Sequence, residues 1–431
     1  MTSDARRFDR SRRVFMQRAA RGGGFALLAS YLPVHAQPQT LAISGIVVRE
    51  LTALDTFMTT FVQEQRIPGA ALAATKDGRL VYARGFGTAD RGRNEDVKPT
   101  ALFRIGSVSK PLTAVAVLQL VERGRIALDD KVWDTLALPE PADPRWKQIT
   151  LLHLLQHTGG WDRRRNFDPM FAAAHIAKTL DVALPLTVHD VVRYMLAQPL
   201  DFEPGARHAY SNFGYCLLGR VIERVAGLAY ERYVQQEVLA PLGIRRMRLG
   251  KTLITQRAPG EVVYYDDQQR FGPAIVGRVG ERVPFPYGVW SMDLMDANGA
   301  WLGSAVDLVR FTSAFDDPQT CRILRPESIA AMFRRPEGVA GIEVEGNYYG
   351  CGWTVWNSER PDRAHASHAG LIPGTAAYLA RRHDGVNWAA LFNTMNGADG
   401  RQLANKIRDA MPKALERVSA WPASDAFSGL L

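Results

Sequence analysis

Cysteine is scarce, with only Cys216, Cys321 and Cys351 in 431 residues. Three thiols, odd in number and widely separated, give neither a disulfide framework nor metal-type spacing, and leave room for at most one incidental disulfide. After residue 36 there is no apolar run long enough to span a bilayer. A large excess of one charge is missing too. The formal net charge is +9, but residues 1–36 hold seven Arg against two Asp, so five of those nine charges sit in that stretch. A nucleic-acid partner thereby loses its main support. Arg163-Arg164-Arg165 reads as a solvated loop.

Several catalytic signatures are also absent. There is no Gly-x-Ser-x-Gly elbow, which disfavours an α/β-hydrolase. Gly250-Lys251-Thr252 lacks the glycine of a phosphate loop, because Arg245 stands five positions earlier. His153 and His157 have the i, i+4 spacing of a zinc helix, yet Leu154-Leu155-Gln156 between them contains no Glu and no third ligand is evident. No metal and no cofactor is expected. Internal repeats and low-complexity tracts are missing as well.

What is present begins with a leader. Residues 1–36 combine an Arg-rich stretch, the run Ser11-Arg12-Arg13-Val14-Phe15-Met16, an apolar segment over 25–34 and a small-residue cleavage site ending at Ala36. This pattern predicts a bacterial export signal of twin-arginine type, hence a periplasmic or secreted protein, with 37–430 as one catalytic domain. Residues 48–65 read as an amphipathic helix, and Asp77-Gly78 marks a hairpin turn. The pattern is mainly helical over 107–315. It turns strand-like again over 349–395, with Asp384-Gly385 as a second turn, and closes on a helix at about 400–411. The order predicts an α+β fold: an antiparallel sheet flanked by N- and C-terminal helices (about 45–106 and 320–415), with an all-helical lobe inserted over about 107–319.

The chemistry concentrates in three short elements. Ser107-Val108-Ser109-Lys110 sets a hydroxyl and an amine one turn apart at the head of a helix whose residues 112–121 are apolar except for Thr113 and Gln119. Burial disfavours an ammonium and makes the amine a proton acceptor for the alcohol, while the helix N-terminus favours a developing oxyanion. Pro111 removes an N–H and crowds the Ser107 carbonyl, so an irregular turn is expected there. Tyr210-Ser211-Asn212 offers a phenol, whose pKa a nearby ammonium would lower, and an amide with both donor and acceptor; it equally suits an Asx turn capping the next helix. His368-Ala369-Gly370 opens a strand-like segment and could supply an imidazole and a backbone N–H at Leu371. Its rival, His157-Thr158-Gly159, reads as a helix end with a glycine stop. Trp161, Tyr287, Trp290 and Trp301 are cleft candidates that as readily belong to the core.

Ser-Val-Ser-Lys, Tyr-Ser-Asn and His-Ala-Gly in this order resemble the serine β-lactamase and penicillin-binding-protein superfamily, in its class C-like branch. Surrounding segments agree, among them Arg104-Ile105-Gly106, Leu154-Leu155-Gln156-His157-Thr158-Gly159-Gly160 and Gly299-Ala300-Trp301-Leu302-Gly303, and the likeness runs over roughly 50–395. The resemblance implies Ser107 as acylated nucleophile, Lys110 as the amine that deprotonates it, and Tyr210 as the proton donor to the leaving group. It further implies Asn212, His368 and Gly370 at the substrate, with the Ser107 and Leu371 N–H groups as the oxyanion hole. His368 replaces the lysine of β-lactamases in this branch, and an imidazole anchors a substrate carboxylate less well than an ammonium. The expectation is therefore a serine hydrolase acting on a small ester, amide or D-peptide, with esterase first. The alternatives are a D-aminopeptidase or DD-peptidase, a weak β-lactamase, or a non-catalytic periplasmic protein that binds peptide or wall fragments. The oligomeric state is not legible.

Overall fold

The computed structural model describes residues 41–341, 346–356 and 365–429; the leader read at 1–36 lies outside the described residues. The elements that matter, in chain order, are helix α1 (Thr52–Glu64), strands β1 (Gly69–Lys76) and β2 (Arg79–Asp90), helices α2 (Ser109–Glu122), α3 (Asn212–Ala226) and α4 (Ala305–Ser313), strands β3 (His365–Ile372), β4 (Thr375–Arg381) and β5 (Val386–Phe392), and helix α5 (Leu403–Leu415). The sheet runs Ile43–Gly45, β2, β1, β5, β4, β3, Thr354–Trp356, Asn347–Tyr349, with Glu95–Asp96 added beside β2 as its ninth strand. Every pairing is antiparallel. The central pair, β1 with β5, joins the two ends of the domain: Ala70 lies opposite Phe392 and Lys76 opposite Val386.

Successive strand residues point to opposite faces, and here both faces are covered. Leu72, Ala74, Tyr378 and Ala390 pack with Leu54 and Met58 of α1 and Ile407 and Met411 of α5. Ala71, Ala73, Leu379, Ala389 and Leu391 face the other way, into a cluster containing Leu308, Val309 and Phe311 of α4. The small alanines let helices approach both faces closely. Helix α4 packs directly on β1, β4 and β5 although it falls within the span grouped with the helical lobe. Asp77 and Gly78 both take left-handed φ, +49° and +76°, as a tight two-residue hairpin turn requires.

Helix α2 is the core helix its composition predicts, buried without interruption from Ser109 to Leu120. Its two polar interruptions are matched inside the protein. The Thr113 hydroxyl donates to Ala297 O at 2.6 Å, and the Gln119 amide donates to Glu237 O at 2.9 Å and Ile323 O at 3.0 Å. Such pairing is what permits polar groups in a dry core. Cys216, Cys321 and Cys351 are free thiols, so the incidental disulfide does not form.

A candidate active site between α2, α3 and β3

Two glycines bring backbone against backbone. A side chain at Gly370 would overlap the Ile105 carbonyl oxygen, and one at Gly106, which has φ +54°, would sit 2.8 Å from Leu371 N. The chain before Ser107 is therefore pressed onto β3. Pro373-Gly374 closes the β3–β4 hairpin, pairing Ile372 with Thr375 and Leu371 with Ala376. Hydrogen-bonded pairs alternate with non-bonded ones, so the Leu371 N–H points away from β4, and the Thr354–Trp356 strand stops at the level of Ser367. Ser107 lies in a 3-10 turn, Gly106–Val108, ahead of α2, the irregular turn expected from Pro111. Its N–H is among the helix-start donors that have no intrahelical partner.

Lys110 is fully buried, with its amine 3.0 Å from Ser107 Oγ and donating to Asn212 Oδ1 at 2.7 Å and Asn298 O at 2.8 Å. Burial drives its pKa well below that of a free lysine; the Asp168 carboxylate opposes this fall and the Arg163 guanidinium adds to it. The Tyr210 ring lies 4.8 Å from the Lys110 amine, and its phenol is close enough to the Ser107 side chain to be influenced by it. The expectation that an ammonium lowers the Tyr210 pKa is overturned. Burial dominates and raises it, so the phenol keeps its proton.

Asn212 begins α3, with Ser211 as cap through its side chain and Gly214 N. The Asn212 amide is occupied at both ends, Oδ1 by Lys110 and Nδ2 by Asp168 Oδ2 at 2.6 Å. In this arrangement it orients Lys110 rather than presenting a free amide to substrate. His368 is likewise engaged on both nitrogens: Nδ1–H donates to Ala369 O at 2.7 Å and Nε2 accepts from the Tyr349 hydroxyl at 2.9 Å. Burial first, and the Lys110 charge second, push its pKa down to about 3. The partly protonated imidazole expected at this position is thus a neutral one, and its ring nitrogens are not free for a substrate carboxylate.

Several residues set aside in sequence reading belong here. His157 is itself the left-handed residue, φ +58°, that ends the helix Leu151–Leu155, where a glycine stop was expected. Its ring packs 4.2 Å from that of Tyr210 and 4.4 Å from that of Tyr349, and its Nδ1 accepts from Ser211 N at 3.3 Å. Arg163, read as part of a solvated loop, lies over the Tyr210 ring at 4.7 Å and pairs with Asp168 at 3.5 Å. Asp168 and Asn212 also border a cavity of about 150 Å³ walled by Trp161, Phe167, Tyr194 and Met195. Trp301 is a core residue instead, its Nε1–H given to Tyr230 at 2.9 Å. Trp290 and Tyr287 pack around the buried Arg104 guanidinium.

The β-lactamase family model matches residues 54–411. The chain belongs to the β-lactamase family. Esterase EstB of Burkholderia gladioli is 29% identical over 382 residues, covering 83% of this chain and 94% of that protein. Penicillin-binding protein 4* of Bacillus subtilis (strain 168) is 28% identical over 333 residues, covering 77% and 69%. Among solved structures, the octameric penicillin-binding protein homologue from Pyrococcus abyssi superposes with a TM-score of 0.64 at 26% identity, over 86% of this chain and 79% of that one. This β-lactamase relative is accordingly a serine hydrolase of the β-lactamase and penicillin-binding-protein fold. No helix among the described residues is long and apolar enough to cross a membrane.

Proposed function

We propose that the protein hydrolyses small carboxylic esters through an acyl-enzyme on Ser107. The observation that carries this reading is the buried, charge-disfavoured Lys110 amine held 3.0 Å from the Ser107 hydroxyl. The neutral amine takes the Ser107 proton as Oγ adds to the ester carbonyl, and the oxyanion lies between the Ser107 and Leu371 N–H groups. Each such donor supplies about 3–4 kcal/mol of transition-state stabilisation. The tetrahedral intermediate then collapses, and the Tyr210 phenol, which burial keeps protonated, gives its proton to the departing alkoxide, a stronger base than a phenolate. Tyr210 is restored by the proton that Lys110 received. Water adds to the acyl carbon by the same relay in reverse, releasing the acid and the free Ser107.

Ester is preferred to β-lactam because the position that would hold a carboxylate-binding cation carries a neutral His368 with both nitrogens already paired. The similarity to an esterase over 94% of that relative's length points the same way. Intact-mass measurement after treatment with a fluorophosphonate tests the nucleophile: one adduct is expected on the native chain and none on Ser107→Ala. Short p-nitrophenyl esters should be turned over with a kcat/KM at least 100-fold above that for nitrocefin or D-amino-acid amides. Efficient nitrocefin cleavage with no ester turnover would reverse the assignment. The twin-arginine-like leader supports periplasmic export, which cell fractionation with N-terminal sequencing would check.

A further inference from the structure

Among the described residues Asp168 has no hydrogen bond to Ser107 or Tyr210, but its carboxylate meets the amide that holds Lys110. Its Oδ1 accepts from Met170 N at 3.2 Å, at the start of the short turn Pro169–Phe171, while Oδ2 accepts from Asn212 Nδ2 at 2.6 Å and lies 3.5 Å from Arg163. A carboxylate only accepts hydrogen bonds, so the Asn212 NH2 must face it and the Asn212 Oδ1 must face Lys110. The second acceptor at the amine, Asn298 O, is fixed by the backbone. A neutral amine has two hydrogens and one lone pair. With both hydrogens given to Asn212 Oδ1 and Asn298 O, the lone pair is left in the third direction, toward Ser107 Oγ. A flipped Asn212 would present N–H donors to the amine and compete with Ser107 for that lone pair.

We propose that Asp168 is a positioning residue for Ser107 acylation, acting through Asn212 to aim the Lys110 lone pair at the serine hydroxyl. The inference rests on the Ser107–Lys110 mechanism of the preceding subsection. The groups facing Lys110 are the Asp168 carboxylate, the Arg163 guanidinium, the phenols Tyr210 and Tyr215, and the imidazoles His157 and His368, both of which are held neutral. Asp168 is the carboxylate in this set that favours the protonated amine. Removing its charge leaves Arg163 unopposed and lowers the Lys110 pKa further.

Two variants separate aim from charge. Asp168→Asn keeps an acceptor oxygen but drops the charge. Asp168→Leu removes both. Lysine side-chain NMR on the folded, full chain reads the Lys110 titration without any substrate, and p-nitrophenyl butyrate hydrolysis gives the pH profile. In Asp168→Asn the Lys110 titration and the acid limb of kcat/KM should move together to lower pH by half a unit or more, with kcat on the plateau within three-fold of the native value. In Asp168→Leu the plateau kcat should fall ten-fold or more while KM stays within two-fold. A folded Asp168→Leu with native kcat overturns the proposal, as does Asp168→Asn with both the Lys110 titration and the acid limb unmoved. If Asp168→Leu does not fold, Asp168→Ala, which also removes both acceptor and charge, is read by the same plateau-kcat criterion. A native chain that turns over no ester while Asp168→Asn still lowers the Lys110 titration would sink the hydrolase reading and support the Asp168–Lys110 link.

Discussion

The Lys110 amine is buried between two carbonyl acceptors and the Ser107 hydroxyl, and its value lies in being easily neutralised by that burial. Replacing it by a similar-sized apolar side chain should leave the core packed but remove the base. Lys110→Met is expected to retain a native near-ultraviolet circular dichroism spectrum while ester kcat/KM falls by at least two to three orders of magnitude, in line with the loss of a general base. Such a variant with more than a tenth of native activity would show that Lys110 is not the base. As candidates, Ser107 and Lys110 stand out in the sequence because a hydroxyl and an amine lie three residues apart, and Tyr210 because an amide follows two residues later. Asp168 and Tyr349 do not. Each matters only as the partner of another side chain, and nothing in Asp168-Pro169 or Tyr348-Tyr349 announces that Asn212 or His368 waits across the cleft. Arg163 and His157 were visible but read by their local setting, a charged loop and a helix end.

Elements, more than side chains, set the oxyanion donors. The Ile105–Gly106 segment and β3 meet main chain to main chain, and the contact tolerates no Cβ at position 370. Gly370→Ala must push β3 away from the turn that carries Ser107, separating the two N–H groups. Ester kcat should drop about 100-fold or more, the scale of losing one oxyanion donor, with a urea midpoint that falls as well. Native kcat in Gly370→Ala would show that the close approach is irrelevant to catalysis. The two glycines were quoted with their motifs in the sequence, but their mutual contact is tertiary and could not be read from either. Strand and helix positions were more open to reading, since the Asp77-Gly78 and Asp384-Gly385 turns mark hairpins and the stretch 112–121, apolar but for Thr113 and Gln119, is long enough for a buried helix. The placement of α4 on the sheet was less so: an amphipathic helix shows that it has a partner and not which one.

At the scale of the whole molecule, buried imidazoles couple stability to pH. His157 and His368 are held far below a free imidazole, His368 at about 3, and partly buried His365 at about 4, in each case mainly by burial. Their folded pKa values are depressed, so the unfolded chain binds more protons between those values and about 6.5. Their contribution to stability is therefore complete above about pH 6.5 and is lost as the pH falls toward 4. Each fully buried imidazole adds a slope of at most about 1.4 kcal/mol per pH unit. Urea midpoints measured from pH 7.5 to 4.5 should fall steadily below 6.5, and His368→Gln should flatten part of that slope. A midpoint independent of pH over that window would contradict the buried, neutral state of these rings.

The seam between β1 and β5 ties Gly69 to Asn393, 324 residues apart. A ribosome delivers roughly 5–20 residues per second, so the β1–β2 hairpin spends on the order of 15–65 s outside the tunnel before its partner strand exists. For that interval an alanine-rich edge with open amide and carbonyl groups is a template for the wrong neighbour. Whatever escorts the nascent chain has that edge to shield, and its task ends only when Val386–Phe392 has emerged.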